Sequence, residues 1–79
     1  KQVLKNIRVT DLSAAVNDSA VKDKIAQIEE KLGSSGRVLV RKSGTEPLIR
    51  IMVEADEQEK CNLYVDEIIE TIVSRGYGL

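Results

Sequence analysis

Apolar positions recur along this chain with two different periods. Gln2–Val9 alternates loosely, with Val3, Lys5, Ile7 and Val9 on one side, and predicts an extended strand. Thr10–Asn17 reads as a connector. The period then lengthens. Val21, Ile25, Ile28 and Leu32 step at i, i+4, i+7 and i+11, one stripe down an amphipathic helix. Asp18 or Ser19 caps the start of that helix, and Gly33-Ser34-Ser35-Gly36 ends it and turns the chain.

Alternation returns at Arg37–Arg41, with Val38 and Val40 on one face and Arg37, Leu39 and Arg41 on the other. It continues at Leu48–Glu54, where Ile49, Ile51 and Val53 oppose Leu48, Arg50, Met52 and Glu54. Such runs around a short loop predict an antiparallel hairpin. Asp56 with Glu59 three residues on resembles a capping box and starts the last helix. Cys61, Val65, Ile68, Ile69 and Ile72 form its buried side, and the helix runs to about Arg75 with Gly76 closing it. The order β-α-β-β-α predicts an α+β fold, a small antiparallel sheet with two helices packed on one face.

Composition narrows the functional classes. A chain of 79 residues, 42% hydrophobic, makes one small domain with a thin core. Tyr64 and Tyr77 are its only aromatics, so packing is aliphatic. It lacks histidine, which excludes a Cys/His metal site and an imidazole base. A single cysteine, Cys61, rules out an internal disulfide and fits a reducing cytoplasm. Its place on the apolar stripe predicts a buried, inert thiol. No apolar run is long enough for a membrane span, and no signal peptide is visible. The chain starts at Lys1 instead of Met and reads as residues 1–79 of the end of a larger protein.

Charge is unevenly placed. The net is −1, yet residues 41–50 hold Arg41, Lys42 and Arg50 against Glu46 alone. The acids of the last helix read as a solvated face, and an acidic second half argues against a nucleic-acid partner. A positive loop on an acidic body attracts anions. The loop Arg41-Lys42-Ser43-Gly44-Thr45-Glu46-Pro47 carries what a phosphate group needs. Arginine forks onto two phosphate oxygens. Ser43 and Thr45 bring neutral hydroxyl donors. Gly44 lets backbone amides approach a ligand as an anion nest. Pro47 stiffens the exit. The same residues also make an ordinary turn, so chemistry alone leaves both readings open. Glu46 and Glu54 read as structural charges, and Arg50 as either their partner or a ligand contact.

This stretch resembles the C-terminal signature of the α-D-phosphohexomutases, R-x-S-G-T-E-P-x-x-R-x-x-x-E. The match falls on Arg41, Ser43, Gly44, Thr45, Glu46, Pro47, Arg50 and Glu54. The wording after the threonine is most similar to the bacterial amino-sugar branch of that family, with its phosphomannomutase and phosphoglucomutase branches as the near alternative. The element order also fits the family's last domain. The resemblance implies that Arg41, Ser43, Gly44 and Thr45 grip the phosphate of a sugar phosphate substrate. Lys42 stands at a variable position and has an electrostatic role, while Arg50 is a possible secondary contact. It further implies a parent isomerase that moves a phosphoryl group through an enzyme phosphoserine, with magnesium held by an aspartate triad. Neither of those motifs is present in this chain. No catalytic residue, metal ligand or cofactor is therefore expected here, and the remaining domains of the parent are the expected partners. A different class, a regulatory or RNA-binding βαββα module, would need a G-x-x-G loop between helices. Gly33–Gly36 has that spelling but precedes a predicted strand.

Overall fold

In the computed structural model, which describes residues 1–78, β1 spans Gln2–Arg8, α1 Leu12–Asn17, α2 Ser19–Leu32, β2 Arg37–Lys42, β3 Leu48–Glu54 and α3 Gln58–Ser74. The α+β class and the β2–β3 hairpin stand as the sequence predicts. The strands form one antiparallel sheet in the order β1-β3-β2, so β3 is central. It pairs with β1 on one side and β2 on the other, and the register links Leu4 to Met52 and Leu39 to Met52.

Strand alternation divides the sheet into two faces. One is closed by the helices. Ile49, Ile51 and Val53 lie there fully buried, packed with Val38, Ile28, Val65, Ile68 and Ile72. Each fully buried isoleucine contributes about 1.5–3 kcal/mol through removal of apolar surface from water, which is how an aliphatic core compensates for scarce aromatics. Cys61 sits in the same core, buried and unbridged, as its place on the stripe predicts. The opposite face bears no helix. Across it run four registered rows: Gln2–Glu54–Arg37, Leu4–Met52–Leu39, Asn6–Arg50–Arg41, and Arg8–Leu48.

The connector after β1 holds a helix that the periodicity did not predict. Asp11 caps α1 by accepting from the Ala14 amide at 3.1 Å. Six residues are too few to display a stripe, but the capping aspartate was a readable signal. Of the two cap candidates for α2, Asp18 acts: its Oδ1 accepts from the amides of Ala20 and Val21 at 2.8 and 3.2 Å. The capping box proposed at α3 does not form. Glu57 occupies the N-cap without a side-chain capping bond, and Asp56 turns instead to Lys60 at 3.3 Å. The helix starts one residue later than the capping-box spacing requires, so Asp56 lies outside the N-cap position.

Gly33–Ser35 forms a 3-10 turn between α2 and β2, so the G-x-x-G spelling lies between a helix and a strand. Gly36 is needed for space: a Cβ there would collide with the Glu54 carbonyl oxygen. Among the described residues, no helix is long and apolar enough to cross a membrane.

The segment after α3 is tied back to the first quarter of the chain. Thr10 donates its amide to the Tyr77 carbonyl at 2.8 Å, and Val9 bridges Gly78. The Asp18 carboxylate, buried despite its charge, accepts the Tyr77 hydroxyl at 2.7 Å and the Arg75 Nε at 3.2 Å. One aspartate thus caps α2 and anchors the segment after α3.

Candidate phosphate-binding site

The β2–β3 loop projects from the end of the sheet. Its neck is closed by Ser43 N–H to the Leu48 carbonyl at 2.9 Å, and its exit by Leu48 N–H to the Glu46 carbonyl at 2.7 Å. A third bond, Val9 N–H to the Pro47 carbonyl at 2.9 Å, fastens the loop to β1. Between these ties Gly44, Thr45 and Glu46 are exposed. Within the described residues, the Gly44, Thr45 and Glu46 amides and the Ser43 and Thr45 hydroxyls make no hydrogen bond. A Cβ on Gly44 would meet nothing within 4 Å, so the glycine there leaves an open approach.

Arg41 ends the helix-free face of β2, and its register partner on β3 is Arg50. Ser43 continues the alternation of Arg41, which sets the first loop hydroxyl on that same face. Lys42, one position off, alternates to the other face beside Ile49. The structure therefore brings Arg41, Ser43 and Arg50 to one end of one face, with Gly44 and Thr45 just beyond. Lys42 stands apart as an exposed charge.

The suggestion that Arg50 pairs with Glu54 or Glu46 is corrected. Glu54 accepts from Gln2 at 3.1 Å and pairs with Arg37 at 3.2 Å. Glu46 pairs with Arg8 at 3.0 Å. Among the described residues, Arg41, Lys42 and Arg50 have no carboxylate partner within an ion-pair distance. Like charges directly opposite on neighbouring strands repel. An anion placed between Arg41 and Arg50 would relieve that repulsion.

Two neighbours of the loop escaped sequence reasoning. Asn6 lies beside Arg50 in the ladder, and Arg8 reaches Glu46. Both sit on β1, whose place along the free edge of β3 is set by tertiary packing. The only readable signal was their shared parity with Leu4.

Comparison with known proteins agrees with this architecture. The family profile described as phosphoglucomutase/phosphomannomutase, C-terminal domain, matches residues 4–71. The chain belongs to that family, and to its C-terminal domain in particular. It is 53% identical over 78 residues to the phosphoglucosamine mutase of Lachnospira eligens, covering 99% of this chain and 17% of that protein. Among solved structures it resembles an N-acetylglucosamine-phosphate mutase of the α-D-phosphohexomutase superfamily, in a substrate complex, with a TM-score of 0.72, 28% identity and coverage of 90% of this chain and 15% of that one. Aspergillus fumigatus N-acetylphosphoglucosamine mutase, solved in complex with GlcNAc-6P and magnesium, shares the fold at a TM-score of 0.75 and 20% identity, over 95% of this chain and 16% of the other. The chain thus spans only a small part of the relatives it matches.

Proposed function

We propose that this chain is the substrate-phosphate-binding C-terminal domain of a cytoplasmic phosphoglucosamine mutase. The parent would interconvert glucosamine 6-phosphate and glucosamine 1-phosphate, feeding cell-wall amino sugar synthesis. The observation that carries the reading is the Arg41–Arg50 register pair, without a carboxylate partner among the described residues, beside a loop whose Gly44, Thr45 and Glu46 amides and Ser43 and Thr45 hydroxyls make no hydrogen bond there. Arg41 forks onto two oxygens of the sugar phosphate. Ser43 and Thr45 donate hydroxyls to the same group, and the Gly44 amide completes the cradle. Arg50 adds charge from the adjoining strand, and Lys42 contributes only to the local field.

The role of this chain is binding, orientation and charge compensation. Holding the phosphate at the loop turns the sugar toward the reacting groups of the remaining domains. Magnesium, when bound in the parent, balances charge on the transferred phosphoryl group. Among the described residues no three carboxylate or thiolate side chains come together, and no step proposed for this chain runs through the ion.

The test is an interconversion assay on the full-length enzyme with glucosamine, glucose and mannose phosphates, run beside the purified 79-residue chain. Preference for the glucosamine phosphates and no turnover by the chain alone are expected. Turnover by the chain above a buffer blank contradicts the domain's assigned role. Preference for glucose or mannose phosphate moves the assignment to a sister mutase.

A further inference from the structure

The phosphate loop carries one acid, Glu46, among its cations. A free carboxylate at that position would compete with any incoming phosphate for Arg41, Lys42 and Arg50. The fold gives it another partner. Arg8, the last residue of β1, donates from Nη2 to Glu46 Oε2 at 3.0 Å. The next residue, Val9, donates its amide to the Pro47 carbonyl at 2.9 Å. Arg8 at the end of β1 and Val9 just beyond it therefore hold two successive residues of the loop. Leu48, the register partner of Arg8, is where the chain re-enters the sheet. Both charged side chains are about half exposed, at 56% and 51%. Such an exposed pair adds little to folding stability. Its consequence falls instead on the field that the loop presents.

We propose that Arg8 is a positioning residue for phosphate capture. It sequesters the loop's only carboxylate on the β1 side and keeps Arg41 and Arg50 free for the ligand. Nothing in the 41–54 signature assigns this role, because Arg8 lies 38 residues from Glu46 in sequence. The inference rests on the phosphate-loop reading above.

The test uses full-length enzyme and steady-state kinetics on the sugar phosphate, with Arg8→Ala, Arg8→Lys, Glu46→Gln, the Arg8→Ala/Glu46→Gln double variant, and Arg41→Ala as reference. Arg8→Ala should raise KM about three- to tenfold with kcat little changed, the signature of lost binding before the chemical step. The increase should shrink at high salt, where exposed charges are screened. Arg8→Lys should keep most of the wild-type KM, since it keeps the charge. The double variant should recover most of the loss, because removing the carboxylate removes the competitor. That recovery separates the electrostatic role from a merely structural one. Wild-type KM in Arg8→Ala alongside an impaired Arg41→Ala overturns the proposal. So does an Arg8→Ala loss that Glu46→Gln leaves in place. If Arg41→Ala itself behaves as wild type, the phosphate-loop reading fails first and this proposal falls with it.

Discussion

Arg41 and Arg50 stand directly opposite each other across the β2–β3 ladder, on the face of the sheet that no helix covers. Cross-strand like charges cost on the order of 0.2–1 kcal/mol. Truncating either arginine should therefore leave thermal stability unchanged or slightly higher. The effect on catalysis should be opposite in sign. On the proposed reading, Arg41→Ala in the full-length enzyme should remove a charge-assisted phosphate contact worth about 1.5–3 kcal/mol, or roughly tenfold or more in kcat/KM. Arg41→Lys should restore only part, because an ammonium cannot fork. Kinetics at sub-saturating substrate together with a melting curve read both effects.

The Asp18 latch predicts a pH dependence. Its carboxyl is held below its ordinary value of 3.8, first by the Tyr77 hydroxyl and then by the Val21 amide, Arg75 and the Ala20 amide, against desolvation acting the other way. A depressed folded-state pKa contributes stability that is present above the unfolded value and lost as pH falls through the folded one. Wild type should therefore lose stability below about pH 4. Asp18→Asn should melt lower at neutral pH, and its deficit should shrink as the pH is taken below that point. Tyr77 gives the complementary limb. Its hydroxyl is raised above 10.0, chiefly by donating to Asp18, so its contribution is present below the unfolded pKa and lost as pH rises through the higher folded one. Tyr77→Phe should remove that alkaline component. Melting temperatures across both pH ranges check the signs.

Two glycines should respond in opposite ways to the same substitution. At Gly36 an added Cβ collides with the Glu54 carbonyl oxygen. Glu54 belongs to the central strand and cannot yield cheaply, so Gly36→Ala should cost about 1–3 kcal/mol. At Gly44 nothing lies within 4 Å, and Gly44→Ala should change stability by less than about 0.5 kcal/mol. If the loop cradles phosphate, the same Gly44→Ala should nonetheless raise KM, because the methyl group enters the space where the ligand approaches. Denaturant unfolding and kinetics on both variants separate space needed for folding from space needed for binding.

What the sequence disclosed follows the range of each interaction. The stripes of α2 and α3 and the alternation of β2 and β3 are local, and they predicted both the core faces and the hairpin. The parity of Arg41 with Leu39, and of Arg50 with Met52, was also readable, but their mutual register depends on how the loop closes at Ser43 and Leu48. α1 was too short to show a period. The partners of Glu46 and Asp18 lie 38 and 57 residues away, beyond any pattern in a window. The loop was legible as a candidate because its residue types suit a phosphate and its wording resembles the family signature, while chemistry alone left an ordinary turn open. The neighbours on β1 were not, because β1 reaches them only through tertiary pairing.

The central claim is that the β2–β3 loop is a phosphate receptor, and an amide-resolved NMR titration of the 79-residue chain with inorganic phosphate tests it most directly. An exposed loop lacking the rest of its enzyme should bind at about millimolar affinity, near −4 kcal/mol, and the binding should weaken with added salt. The largest shifts should fall at residues 41–47, with Arg50 following and the helices nearly still. Largest shifts at Gly33–Gly36 or along α3, or no movement in residues 41–50 at tens of millimolar phosphate, contradict the claim.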